Sequence, residues 1–533
     1  MTMLTIEPGG YRVGIEENET LLDAIRKVDQ LRFEAPCNGR GTCGKCRVRA
    51  LSGSFSDLSA SEIGRLPQKE REEGTRLACC TTVTGEEAVI ELFEKKEKAV
   101  VLADAAYHRS VKVPLFSGIN DAPYGIAVDI GTTTVAAVLL DLRTGDTLAR
   151  TSAINPQTEV GGDVLSRIAY TIGNAPGLKK CQTLIVEALN RMTRDMLCET
   201  GLAPSEIRAY TVAANCTMLH LLLGVDPESL SRAPFTPVFV EGQERMAHEI
   251  GLLPENTSAL LYCLPSVSAY IGADIVAGIY MSKIDRTDKN IMFIDIGTNG
   301  EIVLSRGGQL YACSCAAGPA MEGMNIVCGM RAAEGAVETV SAKDGRVAIG
   351  VIGGTEPVGL CGSGVLESVS MLLSTDSINP SGRLTPKKTT IPEAYYEEGK
   401  EKGYYLDRAH GIRFTQGDVR QIQLAKGAIL SGFCALMERS GLTFEDLDEV
   451  MIAGQFGAHL KAETLADIGI LPGETRNKVT YIGNTSLGGA ISVMLDDRLT
   501  AKYESIRSRV DYMELGTYKG YNDLFVKCLS FPK

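Results

Sequence analysis

Eleven residues near the N-terminus, Pro36-Cys37-Asn38-Gly39-Arg40-Gly41-Thr42-Cys43-Gly44-Lys45-Cys46, restrict the possible folds more than any other stretch of the chain. Three cysteines and three glycines share one loop, and a further cysteine, Cys79, follows in the run RLACC. Four thiolates gathered in one place hold a metal centre. The glycines let the loop close tightly enough for backbone N–H groups to face the sulfurs. Zinc is the plain alternative, because closed four-cysteine sites are its usual structural geometry. Zinc sites more often show two short paired spacings, whereas here one loop carries three cysteines and the fourth stands alone.

The intervals, five and then two residues followed by a distal fourth thiolate, follow the plant-type arrangement around a 2Fe-2S cluster. Cys37, Cys43, Cys46 and Cys79 are therefore the expected ligands. The elements around them agree. Leu4 to Gly14 reads as a hairpin across Gly9-Gly10, LLDAIRKVDQL after Thr20 as an amphipathic helix, and CRVRAL, TRLACCTTV and AVIELF as strands. That order resembles the β-grasp fold of the 2Fe-2S ferredoxin family over residues 1–93. The resemblance implies that Cys79, in the shared Leu-Ala-Cys segment, is the fourth ligand. Cys80 would point to the other face of a strand.

At 533 residues the chain is too long for one core, so two or three domains are expected. A net charge of -12 argues against nucleic acid or an anionic membrane as the main partner. No apolar run reaches the ~18 residues of a membrane span, and MTMLTIEPGG lacks a basic and then apolar signal pattern. A soluble, cytoplasmic protein is expected. Fifteen scattered cysteines do not make a disulfide scaffold, and Cys313, Cys315, Cys328 and Cys361 read as small buried residues.

Residues 94–124, opening on the charge run EKKEK, read as a linker. From Tyr124 a new pattern begins. YGIAVDIGTTTVAAVLLDL is a strand, a tight polar turn and a second strand, and NIMFIDIGTNGEIVLS repeats it. Asp129 and Asp295 stand 166 residues apart at the same place in the two copies, which points to an internal duplication. The chemistry of such a turn is specific. The aspartate at the strand tip can hold a magnesium ion or its waters, and glycine and threonine can approach a phosphate. The expected nucleotide contacts are Gly131, Thr132 and Thr133 in the first turn and Gly297, Thr298 and Asn299 in the second. A third segment, EVMIAGQFGAHL, adds Gly454, Gln455 and Gly457. Together the three segments resemble the phosphate-one, phosphate-two and adenosine motifs of the ATPase superfamily that contains acetate kinase, sugar kinases, Hsp70 and actin (ASKHA). The run from Gly483 to Ala490 falls where the second connecting helix of that superfamily begins, and Gly359 to Glu367 reads as a turn opening a helix towards nucleotide. The fold class expected is α/β multidomain. An N-terminal β-grasp 2Fe-2S domain precedes a duplicated ASKHA domain over 125–533, with lobes about 125–290 and 291–533.

A ferredoxin module joined to an actin-like ATPase resembles the reductive activators of corrinoid-dependent enzymes over nearly the whole chain, supported by INPQTEVGGDVLSRI, NCTMLHLLLGVDP, LPSVSAYIGADIVAGI, AAGPAMEGMNIVCGMRA and DVRQIQLAKGAI. The resemblance implies ATP, Mg2+ and a 2Fe-2S cluster as cofactors. It implies an external low-potential electron donor and, as partner, a corrinoid protein whose Co(II) is returned to Co(I). A homodimer is compatible with it. The chain ends with a lone Cys528, so the subtype with C-terminal 4Fe-4S clusters is excluded. If cobalt lies about 100 mV below the cluster, the transfer costs about 2.4 kcal/mol, within what coupling between two sites supplies. Two other classes remain open. A small-molecule kinase would need a carboxylate base such as Glu301 or Asp163, either of which could equally orient water. A non-catalytic ATP-dependent binding protein would use its cluster structurally.

Overall fold

The computed structural model describes the chain apart from residues 1, 17, 29–30, 32, 34, 36–38, 40, 42–43, 94–106, 108–109, 120, 298, 455–459 and 533. It forms two compact units, residues 1–98 with 156–184, and residues 99–155 with 185–533.

The first unit contains a five-stranded sheet of β1 (Thr2–Glu7), β2 (Tyr11–Ile15), β3 (Arg47–Phe55), β4 (Thr75–Leu77) and β5 (Val83–Leu92) in the order β2-β1-β5-β3-β4. β1 and β2 are the expected hairpin, and β5 returns parallel to β1. Alternation along β1 buries Leu4 and Ile6 against the helix Leu21–Arg26, whose Leu21, Leu22, Ala24 and Ile25 close the core. Thr20 and Asp23 start this helix with a reciprocal capping box.

Two expectations need correction here. The helix read over LLDAIRKVDQL ends at Arg26, because the next bonds run three residues back, from Val28 N to Ile25 O and from Leu31 N to Val28 O, and tighten the chain into turns. The run TRLACCTTV is a strand over Thr75–Leu77 and again only from Val83, where β5 begins. The Cys80 N–H then bonds Leu77 O at 2.8 Å and closes a turn, so Cys79 and Cys80 do not lie on opposite faces of a strand.

The second unit shows the duplication directly. One six-stranded sheet is built from β6 (Tyr124–Ile130), β7 (Thr134–Asp141), β8 (Thr147–Ile154), β9 (Ile207–Ala214), β10 (Gln243–Met246) and β11 (Leu260–Cys263), ordered β10-β11-β9-β6-β7-β8. The other begins with β12 (Asn290–Ile296), β13 (Gly300–Arg306) and β14 (Gln309–Cys315). Two small three-stranded sheets follow, β15 (Ala336–Lys343) with β16 (Arg346–Val351) and β17 (Gly359–Leu360), and β18 (Tyr395–Glu398) with β19 (Glu401–Asp407) and β20 (Ile412–Thr415). The second large sheet is completed by β21 (Glu449–Ala453), β22 (Val479–Gly483) and β23 (Val510–Tyr512) in the order β22-β21-β12-β13-β14-β23. In both large sheets a meander of three antiparallel strands is extended on the side of its first strand by two parallel ones. β6 and β12 even share one burial pattern, with the aspartate half-buried between two buried apolar residues, Val128 and Ile130 in one and Ile294 and Ile296 in the other.

The strands of the first large sheet all precede residue 290 and those of the second all start from it or later, but a C-terminal helix packs on the first. The helix Thr485–Leu495 lies on the first large sheet, where Thr211 Oγ1 donates to Ala490 O at 3.0 Å. A Cβ on Gly125 of β6 would stand 2.6 Å from Met494 Sδ. The following helix, Leu499–Arg509, brings Tyr503 against Tyr280 and Glu504 to the Gly242 N–H. The expected linker over 94–124 is also anchored in its later part. Tyr107 Oη meets Thr147 Oγ1 at 2.8 Å, and the Lys112 and Leu115 N–H groups bond Leu495 O and Met494 O.

Candidate functional site

A cavity of about 430 Å³ opens in the second unit where the repeated turns converge. Asp129, Gly131, Thr132 and Thr133 reach it from the β6–β7 turn, and Asp295, Gly297 and Asn299 from the β12–β13 turn. Glu301 enters from β13, paired in register with Asp295. Cys361, Gly362 and Ser363, at the start of the helix Gly362–Ser374, form another part of the wall, as does Gly454. Thr298, Gln455 and Gly457 lie outside the described residues.

The first turn is pinned from behind. Asn155 donates its side-chain amide to Gly131 O and its backbone N–H to Thr133 O, both at 2.8 Å. Asn215 donates to Thr132 Oγ1 at 3.2 Å while capping the helix Cys216–Leu223. Asp129 accepts from Asn484 Nδ2 at 2.8 Å and from Ser486 Oγ at 2.7 Å, which fixes both carboxylate oxygens. On the opposite side Gly454 has φ +85°, and a Cβ there would stand 2.3 Å from Asp295 Oδ1. Only glycine lets the backbone pass so close to that carboxylate.

Asp274, in the first turn of the helix Ala273–Ser282, joins Asp129, Asp295 and Glu301, and Glu322, Glu338 and Arg331 line the same cavity. Burial pushes Asp295 up to about 7, with the Asp129 charge adding to it. Burial and then Asp295 push Asp274 up to about 8. Glu301 is driven well above the carboxylate range by burial and by Asp274 and Asp295. Asp129 rises through burial, held back by its bonds to Ser486 and Asn484. Carboxyls crowded and buried in this way resist ionising together unless positive charge enters beside them. Among the described residues no three His, Cys, Asp or Glu side chains form a closed metal cage.

Asp163, the other carboxylate considered for water, does not line this cavity. It caps the helix Val164–Thr171, accepting from Ser166 N at 2.7 Å. Asp274, Asn484 and Ser486 were not foreseen as site residues. Their signal was present in the runs GADIVAG and GNTSLGG, whose small residues permit close packing next to a polar side chain.

In the first unit, Cys46 Sγ and Cys79 Sγ lie 3.3 Å apart, both buried, and Cys80 Sγ is 3.5 Å from Cys79 Sγ. Cys37 and Cys43 lie outside the described residues. Gly41 has φ +68°, and a Cβ there would meet Ser61 Oγ at 2.9 Å and Cys80 Sγ at 3.1 Å. Gly41 thus lies close against the Cys80 thiol, beside the buried Cys46–Cys79 pair, and a gathering of thiols this tight suits a small inorganic centre. The expected match to the plant-type spacing needs one correction, since the first interval of five residues is one longer than the four of that pattern.

The turn bearing Cys79 is held by Glu62, fully buried, which accepts from Arg76 Nε at 2.8 Å, Leu77 N at 3.1 Å and Thr81 Oγ1 at 3.0 Å. Cys313, Cys315 and Cys361 are buried, and the first two belong to the hydrophobic core of the second lobe.

Comparison with known proteins places these features in a family. Residues 4–84 match the 2Fe-2S iron-sulfur cluster binding domain, 124–287 the RACo middle region, and 289–533 the C-terminal, ASKHA domain of RACo. The chain is 33% identical over 408 residues to the corrinoid activation enzyme RamQ of Eubacterium limosum, covering 74% of this chain and 68% of that one. It is 26% identical over 440 residues to the [Co(II) methylated amine-specific corrinoid protein] reductase of Methanosarcina barkeri, covering 76% and 77%. Among solved structures, a reductive activator for corrinoid, iron-sulfur protein aligns over 100% of this chain and 98% of its own, with 29% identity and a TM-score of 0.69.

Proposed function

The chain belongs to the family of reductive corrinoid activators, and from that premise we propose that it is an ATP-dependent activase. It passes one electron from a 2Fe-2S centre held by Cys37, Cys43, Cys46 and Cys79 to the Co(II) corrinoid of a partner protein, regenerating Co(I). The observation that carries this reading is the presence, in one chain, of the Cys46–Cys79 thiol pair under a glycine loop and of a cavity where duplicated turns present Asp129 and Asp295.

The centre, when bound, supplies a low-potential one-electron couple, near -400 mV for plant-type clusters. Mg2+ in the cavity would be held by Asp129 and Asp295 and would offset the charge of the phosphates. The protein's own residues do the rest. Asn484 and Ser486 keep Asp129 oriented, so its carboxylate need not reorganise when the nucleotide arrives. The turns around Gly131 and Gly297, with Thr132, Thr133 and Asn299, receive phosphate oxygens. Glu301, its carboxyl driven upward by burial and by Asp274 and Asp295, lines the cavity where it can orient water. ATP thereby favours the conformation or complex in which cobalt is easier to reduce, and it need not touch the cluster to do so.

The test is reconstituted protein, a chemical reductant and a corrinoid partner in its Co(II) state. Co(I), read from the corrin spectrum, should form only with MgATP. Equal formation without MgATP would overturn the proposal, and phosphate transfer to a small-molecule acceptor would favour a kinase.

A further inference from the structure

Cys79 and Cys80 share one tight turn, and their thiols face the same side. Cys80 Sγ is 3.5 Å from Cys79 Sγ, and Cys79 Sγ is 3.3 Å from Cys46 Sγ. The Cys80 thiol points beneath the glycine loop, since a Cβ on Gly41 would come within 3.1 Å of its sulfur. Cys80 is thus a fifth thiol inside a site whose four ligands are already assigned. A thiol in that place does not fit a strand residue turned away from the centre.

We propose that the Cys80 S–H donates a hydrogen bond to the Cys79 sulfur and thereby raises the reduction potential of the centre. The inference rests on the 2Fe-2S reading above. The direction of the bond follows from ligation. A sulfur bound to iron carries no proton, so between the two atoms 3.5 Å apart only Cys80 can donate. A hydrogen bond to a ligand sulfur draws off negative charge, and it favours the reduced state because that state holds one more electron. Reduction adds that electron from the external reductant, and no bond forms or breaks at Cys80. Cys80 is therefore a positioning residue that acts through Cys79. It eases loading of the electron and makes its onward transfer less favourable.

The experiment uses the full chain with its centre reconstituted and follows one-electron reduction by electron paramagnetic resonance at a series of reductant poises. Cys80→Ala should keep the visible absorption of the parent but require a more negative poise. At a fixed poise its reduced-to-oxidised ratio should fall several-fold, up to about tenfold, a tenfold change being ~59 mV for one electron. Cys80→Ser keeps a hydroxyl donor and should stay near the parent. An unchanged potential in Cys80→Ala would overturn the inference, as would equal shifts in both variants or loss of the centre from Cys80→Ala. A parent protein that binds iron and sulfide yet gives no 2Fe-2S signal would overturn the underlying reading instead, so the two failures are distinct.

Discussion

Replacing Glu62 by Gln should loosen the turn that carries Cys79 and cost the first unit about 3 kcal/mol. The carboxylate is fully buried and its partner Arg76 nearly so, so solvent screens the pair little. Burial alone would raise the Glu62 pKa. The Arg76 guanidinium, the Ser59 and Leu77 N–H groups and the Ser59 hydroxyl outweigh it and hold the value at about 2, down from 4.5. At 1.36 kcal/mol per pKa unit that difference amounts to about 3 kcal/mol, which agrees with the typical cost of removing one partner from a buried pair. For a urea dependence of ~1–3 kcal/mol per molar, the unfolding midpoint falls by roughly 1 to 3 M. Visible circular dichroism of the reconstituted centre reports this unit alone, and the loss of ATP binding on the same urea series serves as the internal control. The sign with pH is fixed as well. A depressed carboxylate contributes fully above pH 4.5, and its contribution drains away as the pH falls towards 2, so the parent should lose more stability over that window than the Gln variant does. A midpoint shift below about 0.3 M, or the same acid slope in both proteins, would refute the reasoning.

Three further outcomes are expected. Asp129→Asn and Asp295→Asn should each lower ATP turnover by about 100-fold or more, while the absorption of the iron-sulfur centre, in the other unit, stays unchanged. Gly454→Ala should weaken MgATP binding about tenfold in calorimetry, because it strains a backbone at φ +85° and drives a methyl group into Asp295. In ligand-free protein, thermal stability should fall as the pH rises from about 4 to about 8. Folded Asp295 and Asp274, raised to about 7 and about 8, keep protons that the unfolded chain has already released. Scanning calorimetry at pH 6 and pH 8 checks this, and MgATP should narrow the difference.

What the sequence disclosed were the features written in contiguous residues. The cysteine loop and the two DIGT turns were readable because short spacing fixes short geometry, and both large sheets carry the predicted duplication in their strand order. The Asp129 partners were not readable, since Asn484 and Ser486 lie 355 and 357 residues away and meet it only after the chain returns to the first lobe. Asp274 escaped for a similar reason. Its role comes from facing Asp295 across the cavity, and nothing in GADIVAG states what lies opposite. At Cys79 and Cys80 an alternating pattern imitated a strand, but the bond from Cys80 N to Leu77 O gives the backbone a turn.

The return of Thr485–Leu495 to the first large sheet, with Lys112 and Leu115 seated on its end, sets where this molecule can be cut. A fragment ending at β22 would expose an apolar sheet face that those buried leucine, valine and methionine side chains now cover. A fragment starting at Tyr124 would leave the carbonyls of Met494 and Leu495 without the N–H groups that now reach them. A truncated protein for crystallisation or nucleotide titration without the iron-sulfur module should therefore begin ahead of Tyr107 and run through Phe531, since β23 pairs with β14 and Met513, Leu515 and Phe531 belong to the core of the second lobe. Shorter pieces are expected to aggregate during expression.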